Sequence, residues 1–403
     1  MARVLLGWEL GGNRGHSVPL KALARALQDD GHDVVIAAQQ PAQFVNLTSV
    51  TVLQAPIWPG LLGTAPQQGP IPPVNMGEIL IGLGLSVPGA LTGLIRAWDA
   101  IIRQVRPDVV IADYAPALSC TTRGRIRTIS AGTGFCQPPA DMDAFPDLLR
   151  LSHKAHPEPI LDIINHELAA AGRAKVDTPA AIFAADAQVV ACFAEFDPYR
   201  RWRKTSYVTP HMAQLAPIPD ALGIELFVYF HRADGDATNL WDALAAKGLK
   251  TRVFIAQAER SGHAALRNRG FIVEPEPLSW ALIAKRSRMV ISHGGLGFTS
   301  GALAMGLSHV VLPHDLEKIV TGLTVKKLGN GDCVMPSDKP DLIVDRVQTA
   351  FESSQLHDKT RSASKVIRER IGRHAGRDDV TIIRKLISDR EDPAMAKDER
   401  AAA

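Results

Sequence analysis

Two α/β domains, each a doubly wound parallel sheet, are what this 403-residue sequence predicts, and three observations predict them. The chain is too long for one hydrophobic core, and about two domains is the expectation at this length. Apolar runs of strand length alternate with helical periodicity in both halves, as in parallel strands joined by crossover helices. Between the halves, residues 200–222 change character: Arg200-Arg201-Trp202-Arg203-Lys204 is followed by Pro210, Pro217 and Pro219. We place domains at 1–205 and 223–375, a linker at 206–222, a helix at 376–391 and a polar tail at 392–403. The basic cluster reads as a solvated face of the linker.

Composition narrows the class. Hydrophobic residues make up 46% and charged residues 22%, which is globular, and the net charge of +3 gives no reason to expect nucleic acid. Cys120, Cys136, Cys192 and Cys333 are scattered, which suits a reducing compartment rather than a disulfide framework or a zinc site. Met1 runs straight into Arg3-Val4-Leu5-Leu6-Gly7, too short an apolar run for a signal peptide. No uncharged run reaches roughly 18 residues of lipophilic character without Pro or several Gly, so no membrane span is expected. The expectation is a cytoplasmic protein, with membrane contact at most peripheral.

Taken in order, residues 3–8 form a strand and 9–15 a loop. A helix follows from Ser17 with Leu20, Leu23, Ala24 and Leu27 on one face, and residues 32–38 form the second strand. This βαβ opening fails the dinucleotide fingerprint. Its glycines are spaced Gly11-Gly12-x-x-Gly15, and the second strand ends in Ala37-Ala38-Gln39 without an acid for a ribose. A third strand at 49–53 leads into 55–84, rich in Pro, Gly and apolar residues including Trp58. That stretch is either the lining of an apolar binding site or a surface insertion. A helix at 88–105 feeds the buried strand 107–114, which carries Asp113 at its end. Asp113 either orients a partner side chain or caps the next helix. Strand 125–130 opens onto Gly132-Thr133-Gly134-Phe135 on the same sheet edge, and a helix at 160–171 and a strand at 188–193 finish the half.

The second half starts with strands at 225–230, 250–256 and 271–273, separated by helices. Then comes Met289-Val290-Ile291-Ser292-His293-Gly294-Gly295-Leu296-Gly297-Phe298-Thr299-Ser300. This reads as a buried strand, a glycine turn and a helix start. A helix N-terminus offers backbone N–H groups without intrahelical partners and a positive dipole. With Gly294, Gly295 and Gly297 removing side chains, His293 on the rim and Thr299 in the first turn, it is a site for a phosphate or diphosphate. The strand 309–313, a helix at 318–328, a strand at 332–335 and helices around 342–351, 364–371 and 380–387 complete the chain.

These residues carry a resemblance. His293-Gly294-Gly295, Thr299, Gly306 and Pro313 match the donor motif of the metal-independent nucleotide-sugar glycosyltransferases of the GT-B fold. Gly15-His16-Ser17-Val18-Pro19 resembles the Gly-His-x-x-Pro that opens their first helix. The resemblance implies two Rossmann-like domains facing across a cleft, with the last helix crossing back onto the first. It also implies an inverting transfer from a nucleotide-diphosphate sugar, UDP most often, to a hydroxyl of a small-molecule, glycan or lipid acceptor. By it, His16 is the general base and Asp113 its orienting partner. His293, the amides of Gly294 and Gly295, Gly297, Thr299 and Arg232 hold the diphosphate. Val273 contacts the base through its backbone, and Glu317 and Lys318 contact the sugar. Gly12, Gly15, Trp58 and Phe135 lie toward the acceptor. Taken alone, His16 also reads as a capping or loop histidine. Three features depart from the pattern: the ribose-holding acid is Gly301, the Asp-Gln pair after Pro313 is Glu317-Lys318, and the base-stacking Trp two residues before Pro277 is Pro275. Those departures keep a binding protein without turnover open as an alternative, and a sugar-nucleotide epimerase shares the fold.

Asp141-Met142-Asp143 and Asp234-Gly235-Asp236 match Asp-x-Asp only formally, and His153 and His156 lack a third ligand, so no metal is expected. No cofactor is expected beyond the nucleotide sugar as co-substrate. The oligomeric state is not legible.

Overall fold

The computed structural model describes all residues except 13, 64–71, 150–159, 211–214, 232–237, 258 and 390–403. It divides into two compact units, Met1–His211 with Gly376–Ala403, and Met212–Ala375. Arg232, Asp234-Gly235-Asp236, His153, His156 and the tail from 392 lie outside the described residues.

The first unit runs β1 (Arg3–Trp8), α1 (Arg14–Asp29), β2 (Asp33–Ala38), β3 (Thr51–Gln54), α2 (Met76–Gly82), α3 (Ala90–Val105), β4 (Val109–Asp113), α4 (Pro116–Thr122), β5 (Arg127–Gly132), α5 (Ile160–Ala170), β6 (Ala187–Ala191) and β7 (Tyr207–Val208). All seven strands are parallel, in the order β3-β2-β1-β4-β5-β6-β7. The register sets Trp8 beside Asp113. β1 and β4 are apolar almost throughout because helices cover both faces of the sheet's centre. β7 forms inside the stretch read as a linker.

The second unit repeats the scheme: β8 (Glu225–Phe230), α6 (Thr238–Ala246), β9 (Thr251–Ile255), α7 (Arg260–Asn268), β10 (Ile272–Glu274), α8 (Trp280–Arg286), β11 (Ser287–Ser292), α9 (Leu296–Ala304), β12 (Ser308–Val311), α10 (Leu316–Leu328), β13 (Gly331–Cys333), α11 (Pro340–Glu352) and α12 (Ser354–Arg373). Its six parallel strands are ordered β10-β9-β8-β11-β12-β13. The last helix, α13 (Asp379–Ser388), belongs to the first unit. Ile383 and Ile387 enter the core formed by Leu20, Leu23, Ala24, Leu27 and the sheet, and Arg384 pairs with Asp30.

In both sheets the strand order reverses once, between β1 and β4 and between β8 and β11. Neighbouring crossovers leave in opposite directions there, so a crevice opens outside the carboxyl ends of the strands. Asp113 ends β4 and His16 lies in the helix after β1 at the first reversal, and His293 follows β11 at the second.

Two readings change. The stretch 55–84 is not wholly a surface insertion: its described residues include a short 3₁₀ turn at Pro59–Leu62 and α2, and Trp58, Met76 and Leu80 are fully buried. The basic cluster is not wholly a solvated face. Arg203 is buried against Asp197, bonding it through Nε (2.7 Å) and Nη2 (3.2 Å), because Asp197 would otherwise be an unpaired buried charge.

Candidate active site

In the first unit, helix α1 begins at Arg14, three residues earlier than the periodicity suggests, and puts His16 in its first turn. The His16 Nδ1–H donates to both carboxylate oxygens of Asp113, at 3.0 Å each. The helix after Asp113 is not capped by that side chain: its N-cap is Ala115, with no side-chain bond. Of the two readings of Asp113, the structure takes the partner of His16. The imidazole lies between two rings, Trp8 at 5.3 Å and 18° and Tyr114 at 6.3 Å and 22°. A side chain at Gly11, where φ is 75°, would run into its Nε2 edge, which accounts for glycine there. With Nδ1 turned to the carboxylate, Nε2 is the basic nitrogen. A carboxylate behind an imidazole stabilises the charged ring that forms when Nε2 takes a proton.

Sequence reasoning missed Glu9. Its carboxylate is fully buried and accepts four N–H bonds: Trp98 Nε1 (2.7 Å), Leu118 N (2.5 Å), Trp58 Nε1 (3.0 Å) and Ala117 N (3.1 Å). Burial pushes its carboxyl up to about 7, while the four donors pull it down. An acid at the end of an apolar strand is the only local signal, because its partners lie 49 to 109 residues away.

Among the acceptor candidates, a side chain at Gly15 would meet nothing within 4 Å among the described residues, and one at Gly12 would meet Gln40 Nε2 at 4.0 Å. Trp58 is corrected: it is fully buried and holds Glu9, since an indole with its N–H satisfied by a carboxylate is most stable in the core. Phe135 is corrected likewise. It is buried, in a loop whose Gly134 carbonyl accepts from Arg203 Nη2 at 3.1 Å. Asp141 pairs with exposed Lys204.

In the second unit, Gly294 turns the chain with φ at 86° after β11. The His293 ring stacks on Phe230 from β8 at 4.3 Å and 21° and meets His314 edge-on at 4.7 Å. Its Nδ1–H donates to the Leu312 carbonyl at 3.0 Å, so Nε2 carries a proton only when the ring is charged. The first intrahelical bond of α9 runs from Thr299 N to Gly295 O. The amides of Leu296, Gly297 and Phe298 precede it and have no partner within the helix. A Cβ at Gly295 or Gly297 would meet nothing within 4 Å among the described residues. The buried hydroxyls of Thr299 and Ser300 have no hydrogen-bond partner among the described residues. A helix N-terminus with orphaned hydroxyls fits an anion.

Other assignments change. The Gly294 amide donates to Ser292 Oγ at 3.0 Å and belongs to the turn itself, so the anion-facing amides lie further along. Ser292 in turn meets His309 Nε2 at 2.8 Å; burial pushes His309 down to about 3 and keeps it neutral. Lys318 Nζ donates to Glu317 (2.7 Å) and Asp315 (3.2 Å), because a lysine ammonium that is largely buried needs carboxylates close by. Glu317 and Lys318 thus hold each other. The Val273 side chain packs into the core, with its backbone on an edge strand. Gly301 is covered by the Trp280 indole, which fills the room a side chain would need there. Trp280 is half-buried and rests on Phe298 at 5.1 Å, which rests on Tyr229 at 4.9 Å.

No protein-family profile matches the sequence, and no curated protein does. Solved structures do. A calicheamicin glycosyltransferase superposes with a TM-score of 0.67 at 18% identity, over 91% of this chain and 94% of its own. The glycosyltransferase of kitacinnamycin gives 0.63 at 16% identity, over 96% and 98%. A spinosyn rhamnosyltransferase complexed with thymidine diphosphate gives 0.61 at 15%, over 95% and 99%. At these identities the likeness is one of fold, and this chain has the two-domain α/β fold of the antibiotic glycosyltransferases, the GT-B fold.

Proposed function

We propose that the protein is a glycosyltransferase that moves a sugar from a nucleoside-diphosphate donor to a hydroxyl of a small-molecule, glycan or lipid acceptor. The observation that carries this reading is the His16 imidazole held through Nδ1 by both oxygens of Asp113 at the first sheet's reversal point. An alcohol is a weak nucleophile, and a base positioned to take its proton as the bond forms supplies what it lacks. In the reaction we propose, the acceptor oxygen attacks the anomeric carbon in line and inverts it. The bond to the diphosphate breaks, and the hydroxyl proton passes to His16 Nε2. The α9 tip takes the leaving diphosphate with the amides of Leu296, Gly297 and Phe298, the Thr299 hydroxyl and His293, and no metal is part of this reading. The donor nucleoside is a pyrimidine, uridine or thymidine. Thymidine diphosphate is bound in the spinosyn rhamnosyltransferase and in the enzyme of Streptomyces sp. SF2575. Trp280 and Phe298 offer it an apolar surface in place of an acid at 301. No helix among the described residues is long and apolar enough to cross a membrane.

Thermal shift with uridine and thymidine diphosphates comes first, since a ligand of the folded form raises its stability by mass action. Release of nucleotide from a panel of donor sugars follows. His16→Ala is expected to cut that release about 100-fold or more without changing the nucleotide's thermal shift. A second reading, a sugar-nucleotide binding protein without turnover, draws on Trp280 over Gly301 and on Lys318 being paired with Glu317. Nucleotide binding with no release from any donor selects it.

A further inference from the structure

Glu9 has no part in the transfer itself, yet it bridges the end of β1 and the start of α4, which flank Trp8, Asp113 and Tyr114. It stands between Trp8, which stacks on the imidazole, and Leu10, whose amide donates to the Tyr114 carbonyl at 3.1 Å. Its carboxylate reaches across to Ala117 and Leu118 and takes the first amides of α4, the task a capping side chain performs when Ala115 offers none. Between β4 and α4 the chain passes through Tyr114 at φ 45°, a left-handed conformation that a non-glycine residue keeps only when its surroundings enforce it. That turn carries Asp113, which bonds the imidazole, and Tyr114, which stacks on it. Trp98 and Trp58 bring the remaining two donors from α3 and from the 55–84 stretch.

We propose that Glu9 is the positioning residue of the His16–Asp113 pair: a buried carboxylate clamp that holds the strained 113–117 turn against β1 and so fixes the direction and tautomer of the base. The proposal rests on the reading of His16 as the base only for its catalytic consequence. Its structural content stands apart. All four groups at the clamp are N–H donors, so a glutamine of nearly the same shape would turn its own NH₂ toward two of them and lose those bonds. The titratable neighbour on α4 is Cys120, whose thiol burial pushes up to about 12, leaving it neutral beside the carboxylate.

The test uses the full chain with ¹⁵N-labelled histidine. In Glu9→Gln, the His16 ring nitrogens are expected to show a changed tautomer ratio and a displaced titration midpoint. Val34→Ala, a core change in β2, should lower the melting temperature and leave both untouched. Where the transferase reaction is measurable, Glu9→Gln lowers kcat about 10-fold with donor KM within about 2-fold, since the donor groups are in the other unit. If Glu9→Gln does not fold, Trp98→Phe and Trp58→Phe each remove one donor and should displace the His16 signals by smaller steps. His16 signals identical to those of the parent in the folded variants overturn the clamp. Absence of turnover in the parent overturns the transferase reading, while the histidine spectra still decide the clamp.

Discussion

At the scale of single residues, the glycines around α9 separate fold from function most cleanly. Gly294 is required by its own backbone, with φ at 86° and Val311 packed where a side chain would go. Gly297 is not: it sits in the helix with open space around it. Gly297→Ala is therefore expected to stabilise the protein by about 0.5–1 kcal/mol through helix propensity and to weaken nucleoside-diphosphate binding about 10-fold by narrowing the approach. Chemical denaturation and calorimetric titration read the two effects separately, and unchanged affinity would remove the diphosphate from this tip. His293 yields a second expectation. Its Nδ1 is committed to the Leu312 carbonyl, so only the charged ring donates to a diphosphate from Nε2. His293→Gln is expected to weaken nucleoside-diphosphate affinity about 10-fold in calorimetric titration through the lost imidazole contact, and unchanged affinity would take His293 out of the site. The motif around residues 293–299 was legible because a helix tip needs only local sequence. Trp8 and Tyr114 were not, because their stacking on His16 brings β1, α1 and the turn after β4 together, and Glu9 was not, because its partners come from α3, α4 and Trp58.

At the scale of elements, strands and helices were legible from periodicity, and boundaries moved where a tertiary partner extends a helix. α12 runs unbroken from Ser354 to Arg373, where the apolar pattern showed only its end. His357, Thr360 and Ser364 are buried polar residues on it; His357 and Thr360 bond Ser308 on β12, so a polar face of this helix is an inner face. α13 shows which forces hold an element. Its Ile383 and Ile387 are almost wholly buried, whereas the Arg384–Asp30 pair is exposed. Ile383→Ala is expected to cost about 2–4 kcal/mol in denaturant unfolding, the usual range for such a core truncation. Arg384→Ala should cost much less, since exposed ion pairs are screened by solvent. The reverse order would mean that charge, not burial, docks the helix.

At the scale of the whole molecule, the two units carry buried titratable groups of opposite sign. In the first, Glu9 titrates near 7 when folded against an ordinary value of 4.5. Its contribution to stability is complete below 4.5 and is lost as pH rises through about 7, a span worth about 3 kcal/mol. In the second, His309 is pushed from 6.5 to about 3. Its contribution is complete above 6.5 and is lost as pH falls toward 3. Replacing each by a neutral group should remove its slope: Glu9→Gln between pH 5 and 8, His309→Gln between pH 6.5 and 4. Trp8, Trp58 and Trp98 report on the first unit, and Trp241 and Trp280 on the second. Parallel pH profiles for parent and variant would refute the corresponding assignment.

The sequence by itself determined the α/β class, the alternation of strand and helix in both halves and the glycine turn that opens α9, because each depends on neighbours within a few turns of chain. It also singled out His16 and Asp113. Only the tertiary structure decided that Asp113 meets His16 rather than capping a helix, that Trp58 belongs to the core, that Glu317 and Lys318 satisfy each other, and that Trp280 occupies the room beside Gly301. Those outcomes turn on which buried polar and aromatic groups find partners across strands far apart in sequence, and a one-dimensional pattern holds no record of that pairing.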